Sequence, residues 1–281
     1  MKKLAASVFV FTFFLASLAG ISGCGAKYAF SQAKKLEKKG FYVQAVEKYL
    51  KVSRKYPKDA LAPEAMYRAG EIYRAKLKIY PEGINIYLEL LKNFPDSGIW
   101  LKLAKMGVFN SPSYFPMADG SAWTEVDSAS TGKNMKAQWY CQEISTGVYK
   151  LTKKYFAGDK LVTTVARYYS IDNLELVESK SQDFADKTVL LKYPFNTGTS
   201  WVTEQDGRKI KLTVIAANAG VKTAAGQFDN CIKIQQEDLN LPGSYKYVYY
   251  AKDTGFVLMA TGTSKTEHRS SELLSYSLKE Q

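Results

Sequence analysis

Cys24, Cys141 and Cys231 are the thiols of this 281-residue chain, and His268 is its one imidazole. A thiol can be acylated, oxidised to a disulfide or bound to a metal, and an imidazole moves protons near neutral pH. One histidine, set in the polar stretch TSKTEHRSS, almost rules out a histidine-based triad or a multi-histidine metal site. The sequence carries no His-Glu-x-x-His, Gly-x-Ser-x-Gly, phosphate-loop or dinucleotide fingerprint. Glu237 and Asp238 are adjacent carboxylates, but neighbours on a strand point to opposite faces. They read as a strand end before the turn LNLPGS. A carboxylate pair assembled from distant strands stays open as an alternative. The expectation is a protein that is not an enzyme and needs no cofactor or metal.

The sequence around the first thiol gives it a chemistry. Lys2 and Lys3 precede an almost wholly apolar run from Leu4 to Ile21, which ends in Ser22-Gly23-Cys24. A basic start, an apolar core and small residues before a cut site make a secretory signal peptide, residues 1–23. The run is also about long enough for a transmembrane helix, but its ending resembles the lipobox of bacterial lipoproteins. That resemblance implies cleavage between Gly23 and Cys24, a diacylglycerol on the Cys24 thiol and an acylated amine. Several chains on one residue anchor stably where a single chain does not. With Gly25 and not Asp after the cysteine, the resemblance further implies the periplasmic face of the outer membrane. The expected partners are then a membrane, through the N-terminal lipid, and a periplasmic or outer-membrane protein; nucleic acid is excluded by export. For Cys141 and Cys231, in AQWYCQEI and FDNCIKI, two readings stand: a disulfide allowed by an oxidising compartment, or two buried free thiols acting as small apolar residues.

Stepping from Cys24 into the mature chain, residues 25–106 carry 17 Lys/Arg against 8 Asp/Glu, whereas residues 107–281 carry 20 against 19. The excess positive charge therefore sits on one segment, 24–106, and that segment has helical spacing. Ala33, Leu36, Gly40, Ala45, Tyr49, Val52 and Pro57 suit a hairpin of helices. The alanines allow close approach, Gly40 reverses the chain, and Pro57 stops the second helix. A second copy runs from Ala62 to Pro95, with Gly70, Tyr73, Gly83 and Tyr87 in the equivalent places and Pro81 in a turn one residue longer. These units resemble tetratricopeptide (TPR) repeats of about 34 residues. RKYPKDALAPEAMYRAGEIY and NFPDS are similar to the periplasmic TPR lipoproteins of the outer-membrane β-barrel assembly machinery. The resemblance spans about 80 residues and implies a groove for a peptide or partner domain. Two repeats are few, and Ser97–Met106 reads as a capping helix with Ile99, Trp100 and Leu103 inward. Lys34, Lys38, Lys48, Lys51, Arg54 and Lys55 are the candidate partner-binding residues, for an acidic peptide or anionic headgroups. A solvated amphipathic face is the alternative.

A linker, 107–116, follows, and then two-residue alternation with turns every eight to twelve residues, as in KAQWYCQEI, VYKLTKKYF and SYKYVYYA. This predicts an antiparallel sheet over 117–281, curled or closed into a partial barrel. The fold class is thus α+β in two domains, a short TPR-like solenoid and then this sheet. Pro-x-x-x-Gly-x-x-Trp occurs at Pro116–Trp123 and again at Pro194–Trp201, which suggests two sub-sheets with equivalent lead-in turns, or one idiom used twice. With Gly-x-Phe-x-x-Cys at Gly226–Cys231 and Tyr-Tyr-Ala-x-x-x-Gly at Tyr249–Gly255, the region resembles a C-terminal β-domain of bacterial secreted proteins and lipoproteins. Two functions compete: an anchored adaptor in the cell envelope, and a binder of an apolar or glycan ligand in the curled sheet.

Overall fold

The computed structural model describes residues 17–279, with side chains from residue 25 onward. Most of the expected signal segment, and the Cys24 side chain, lie outside these. Two units follow one another, dividing between Ser111 and Pro112.

Among the described residues the first unit holds five α-helices: α1 Ser17–Lys38, α2 Tyr42–Lys55, α3 Leu61–Glu71, α4 Tyr80–Asn93 and α5 Ile99–Phe109. Each packs on the next. Ala33 and Ala45 are fully buried, as close helix approach requires, and Gly40 has φ +79° at the reversal. Tyr56 closes α2 by donating its N–H to Val52 O, and Pro57 follows. The second hairpin departs from the expectation. α3 continues as a π-helical turn, Ile72–Leu77, that ends at left-handed Lys78. Pro81 therefore lies inside the first turn of α4, where its missing N–H leaves no helical bond unmade.

Tyr87 of α4 is the fully buried centre of this unit. Its ring lies against Gly70 of α3 and Gly107 of α5, where a Cβ would overlap ring carbons. Its hydroxyl donates to Glu71 Oε1 at 2.5 Å, and Arg74 donates to both Glu71 oxygens at 2.8 and 3.0 Å. Burial alone would raise the Glu71 carboxyl, but the Arg74 guanidinium and the tyrosine hydroxyls outweigh it and hold the group below the usual carboxylate range. A carboxyl whose folded pKa is depressed adds stability in full above its unfolded pKa, and loses it as pH falls through the lowered value. Two expectations need correction here. α5 runs past Met106 to Phe109, because Gly107 is a packing glycine and not a linker residue. Ala104, Gly107 and Val108 face inward, whereas Ile99 is 47% exposed; Trp100 contacts the Tyr67 ring at 5.5 Å.

Among the described residues the second unit is one antiparallel sheet of twelve strands, nearly closed into a barrel. They are β1 Ala122–Asp127, β2 Lys136–Ser145, β3 Val148–Ala157, β4 Lys160–Asp172, β5 Glu175–Ser179, β6 Thr188–Lys192, β7 Ser200–Gln205, β8 Arg208–Thr223, β9 Gly226–Asp238, β10 Tyr245–Ala251, β11 Gly255–Gly262 and β12 Glu267–Ser277. β1 to β6 pair in succession, as do β7 to β12, and β12 pairs with β1, which leaves the ladder open between β6 and β7. Side chains bridge it. Thr188 Oγ1 donates to Glu204 O, Val189 N–H to Thr203 Oγ1 and Trp201 Nε1 to Val189 O, at 2.8, 2.9 and 3.0 Å.

The repeated tryptophan phrase opens the two six-strand halves of this sheet. Gly120 and Gly198 both take positive φ, +78° and +94°. Gly120 N–H donates to Cys141 O and Gly198 N–H to Val214 O, each on the following strand, and that strand returns the bond to Ser121 O and Thr199 O. The lead-in turns are equivalent, but they open halves of one sheet and not two sub-sheets. The tryptophans then diverge: Trp123 Nε1 donates to Thr254 O in the β10–β11 turn, whereas Trp201 stitches the β6–β7 gap.

Candidate functional site

Period-2 alternation decides which side chains enter the barrel. Trp123, Glu125, Trp139, Leu151 and Lys153 share the inner face, since Trp123 pairs with Trp139 and Trp139 with Lys153. Phe115, in the segment before β1, stacks on Tyr169 at 5.5 Å. With Pro116 it belongs to an apolar floor of Trp123, Leu151 and Leu273 whose free volume is only about 10 Å³. Above that floor lies a lumen of about 280 Å³, and a second space of about 440 Å³ at the mouth shares Glu178, Thr188 and Gln205 with it. The mouth is framed by residues 185–188 and the β7–β8 turn. The free space thus widens from the apolar cluster through the lumen to residues 185–188 and the β7–β8 turn.

Charged groups hold the middle. Glu125, 4% exposed, accepts from Lys153 Nζ at 2.7 Å, Trp139 Nε1 at 3.2 Å and Ser271 Oγ at 2.5 Å. The same ammonium lies 4.1 Å from the Trp139 ring centroid and 4.8 Å from that of Tyr155. Glu178 accepts from the Tyr169 hydroxyl and lies 3.9 Å from Arg167. Burial, reinforced by Glu178, pushes the Tyr169 hydroxyl well above the usual phenol range. Lys246 on β10 has neither a hydrogen bond nor an ion pair among the described residues. It stays accessible from the lumen while the wall surrounds it. This desolvation, with repulsion from Lys153, lowers it from the ordinary lysine value.

Lys34, Lys38, Lys48, Lys51, Arg54 and Lys55 are all exposed. Lys34 and Lys38 sit one turn apart on α1; Lys48, Lys51 and Lys55 form a stripe on α2, with Arg54 beside it. None has a carboxylate within salt-bridge distance among the described residues, and the Lys55 ammonium lies 5.3 Å from the Tyr56 ring. His268 is exposed on β12, and Glu237 and Asp238 end β9 as expected of a strand terminus.

Cys141 on β2 and Cys231 on β9 are free and buried, 4% and 0% exposed. The disulfide reading is corrected: their strands are not neighbours, and the Cys231 thiol donates to Phe228 O at 3.7 Å. Burial pushes Cys141 up to about 12 and Cys231 up to about 11. Both should stay unlabelled by iodoacetamide at pH 8 in the folded protein and react fully in denaturant, as read by intact mass.

The lumen residues were within reach of the sequence. Glu125 is in phase with Trp123, Lys153 with Leu151, and Lys246 with Val248 and Tyr250. A charge in phase with buried apolar neighbours points into a core or a cavity. The alternation was legible, but which inward charge found a partner was not.

This is the architecture of a five-helix unit followed by a nearly closed antiparallel barrel. The tetratricopeptide repeat family matches residues 64–97, from α3 into the turn after α4. No curated protein matches the chain. Among solved structures, a chain assigned as a lipoprotein of Parabacteroides distasonis ATCC 8503 is similar at 12% identity and a TM-score of 0.40, over 58% of this chain and 98% of that one. A chain assigned as an exported protein with a YmcC-like fold, from Bacteroides fragilis NCTC 9343, is similar at 17% identity and a TM-score of 0.39, over the same shares.

Proposed function

We propose that this protein is a lipid-anchored, non-catalytic interaction module of the bacterial cell envelope, held through Cys24 and engaging a protein partner through its helical repeats. TPR repeats mediate protein–protein contacts, and one is present at residues 64–97. The observation that carries the reading is the pair of basic stripes on α1 and α2. Six cations there are exposed and without acidic partners among the described residues, although the chain's 27 Asp and Glu could have supplied them. Unpaired surface cations steer an acidic partner and raise its rate of encounter. Beside them Tyr28 and Val43 are 69% and 58% exposed, which adds apolar contact area to the charge.

A periplasmic or outer-membrane protein with an acidic contact face fits this surface, and the lipid sets its location. The test is capture of the full-length protein from detergent-solubilised membranes, beside a variant carrying Lys48→Glu, Lys51→Glu and Lys55→Glu. The reading expects one stoichiometric protein in the first eluate and at least a tenfold loss of it in the second. Equal recovery with both proteins would refute the basic stripe as the contact.

A further inference from the structure

We propose that the barrel lumen is a binding site for a small hydroxyl-bearing monocarboxylate of the sugar-acid class, with Lys246 as its counter-ion. The site is separate from the helical surface and does not depend on it.

Three observations converge. The first is charge. Both lumen carboxylates already have cations, Glu125 with Lys153 at 2.7 Å and Glu178 with Arg167 at 3.9 Å, while Lys246 has none among the described residues. Glu125 and Glu178 attract the Lys246 ammonium only from beyond salt-bridge distance, and each already holds a cation of its own. One singly charged group restores the balance, and a lone lysine offers no fork for a doubly charged phosphate. The second is hydrogen-bonding capacity left open. Gln236 pairs with Lys246 across β9 and β10. The side chains of Gln236, Gln205, Tyr155 and Tyr250 line the lumen without a hydrogen-bond partner among the described residues. Amides and phenols give and take bonds, which suits the hydroxyls of a sugar. The third is space. The filled apolar floor has about 10 Å³ to spare, too little for an acyl chain, whereas the polar lumen of about 280 Å³ opens to a mouth of about 440 Å³. A pocket of a few hundred cubic ångströms with a few converging polar groups is the usual form of a small-molecule site.

A free sugar acid and the acidic residue of a glycan present the same chemistry. The experiment is calorimetric titration of the full-length protein in detergent with glucuronate, the singly charged disaccharide glucuronosyl-glucose and neutral glucose, repeated with Lys246→Met and Lys246→Arg. Thermal melts confirm that both variants are folded. Glucuronate is expected to bind at least tenfold more tightly than glucose, to lose at least tenfold in Lys246→Met and to stay within about threefold in Lys246→Arg, as one charge-assisted hydrogen bond implies. Tighter binding of glucuronosyl-glucose than of glucuronate assigns a glycan source; the reverse assigns the free acid. The proposal is overturned if glucose binds as well as glucuronate, if Lys246→Met binds like the unsubstituted protein, or if neither uronate binds.

Discussion

Replacing Glu125 with alanine should destabilise the barrel by about 3–5 kcal/mol, the range for removing one partner of a buried ion pair. Glu125 is 4% exposed, and it takes three donors at once. Its loss strands the Lys153 ammonium, whose side chain is only 18% accessible, together with the Trp139 N–H and the Ser271 hydroxyl. For a unit of this size the loss corresponds to about 10 °C in the midpoint of thermal unfolding. The double change Glu125→Leu with Lys153→Met removes both charges and should recover most of that stability, since buried pairs are often no better than well-packed apolar residues. Calorimetry of the single and double variants checks both statements. A loss below about 1 kcal/mol in Glu125→Ala would mean that the lumen hydrates Lys153 as well as bulk water does.

Gly107→Ala should cost the helical unit about 2–3 kcal/mol, at the upper end of the cost of overpacking. The added methyl would enter the Tyr87 ring, which also lies against Gly70 and is fully buried. The ring cannot withdraw without breaking its hydroxyl bond to Glu71, itself fixed by Arg74. The signature that separates this clash from helix propensity is its coupling to Tyr87. Alanine is the better helix former, so in a Tyr87→Leu background Gly107→Ala should become nearly neutral. A cost unchanged in that background would show that the glycine serves something other than the ring. Circular dichroism melts of the four proteins make the comparison.

These two sites show what the sequence could and could not disclose. Ala33, Gly40, Ala45 and Pro57 announce a helical hairpin because each does a local job: close approach, reversal, termination. Gly107 reads as a linker residue because Ser111, Pro112 and Ser113 follow it closely, while its place is set by the Tyr87 ring twenty residues away. Apolarity alone points Ile99 inward, but the face of α5 is chosen by the small residues Ala104 and Gly107 that admit the neighbouring helix. In the barrel, alternation revealed the strands and the repeated tryptophan phrase marked the two halves. The closure did not follow, because it depends on Thr188, Thr203 and Trp201 meeting across strands that share no ladder. The charge of Lys246 likewise gains meaning only when every other lumen charge is seen to be paired.

The helical contact is the centre of this account, and site-specific photo-crosslinking in intact cells tests it most directly. A crosslinker placed at Lys51 on the α2 stripe is compared with one at Lys209, an exposed position on β8. The account predicts one discrete protein adduct from position 51 and none from position 209. An adduct from position 209 with none from position 51 would contradict it and make the barrel the working surface.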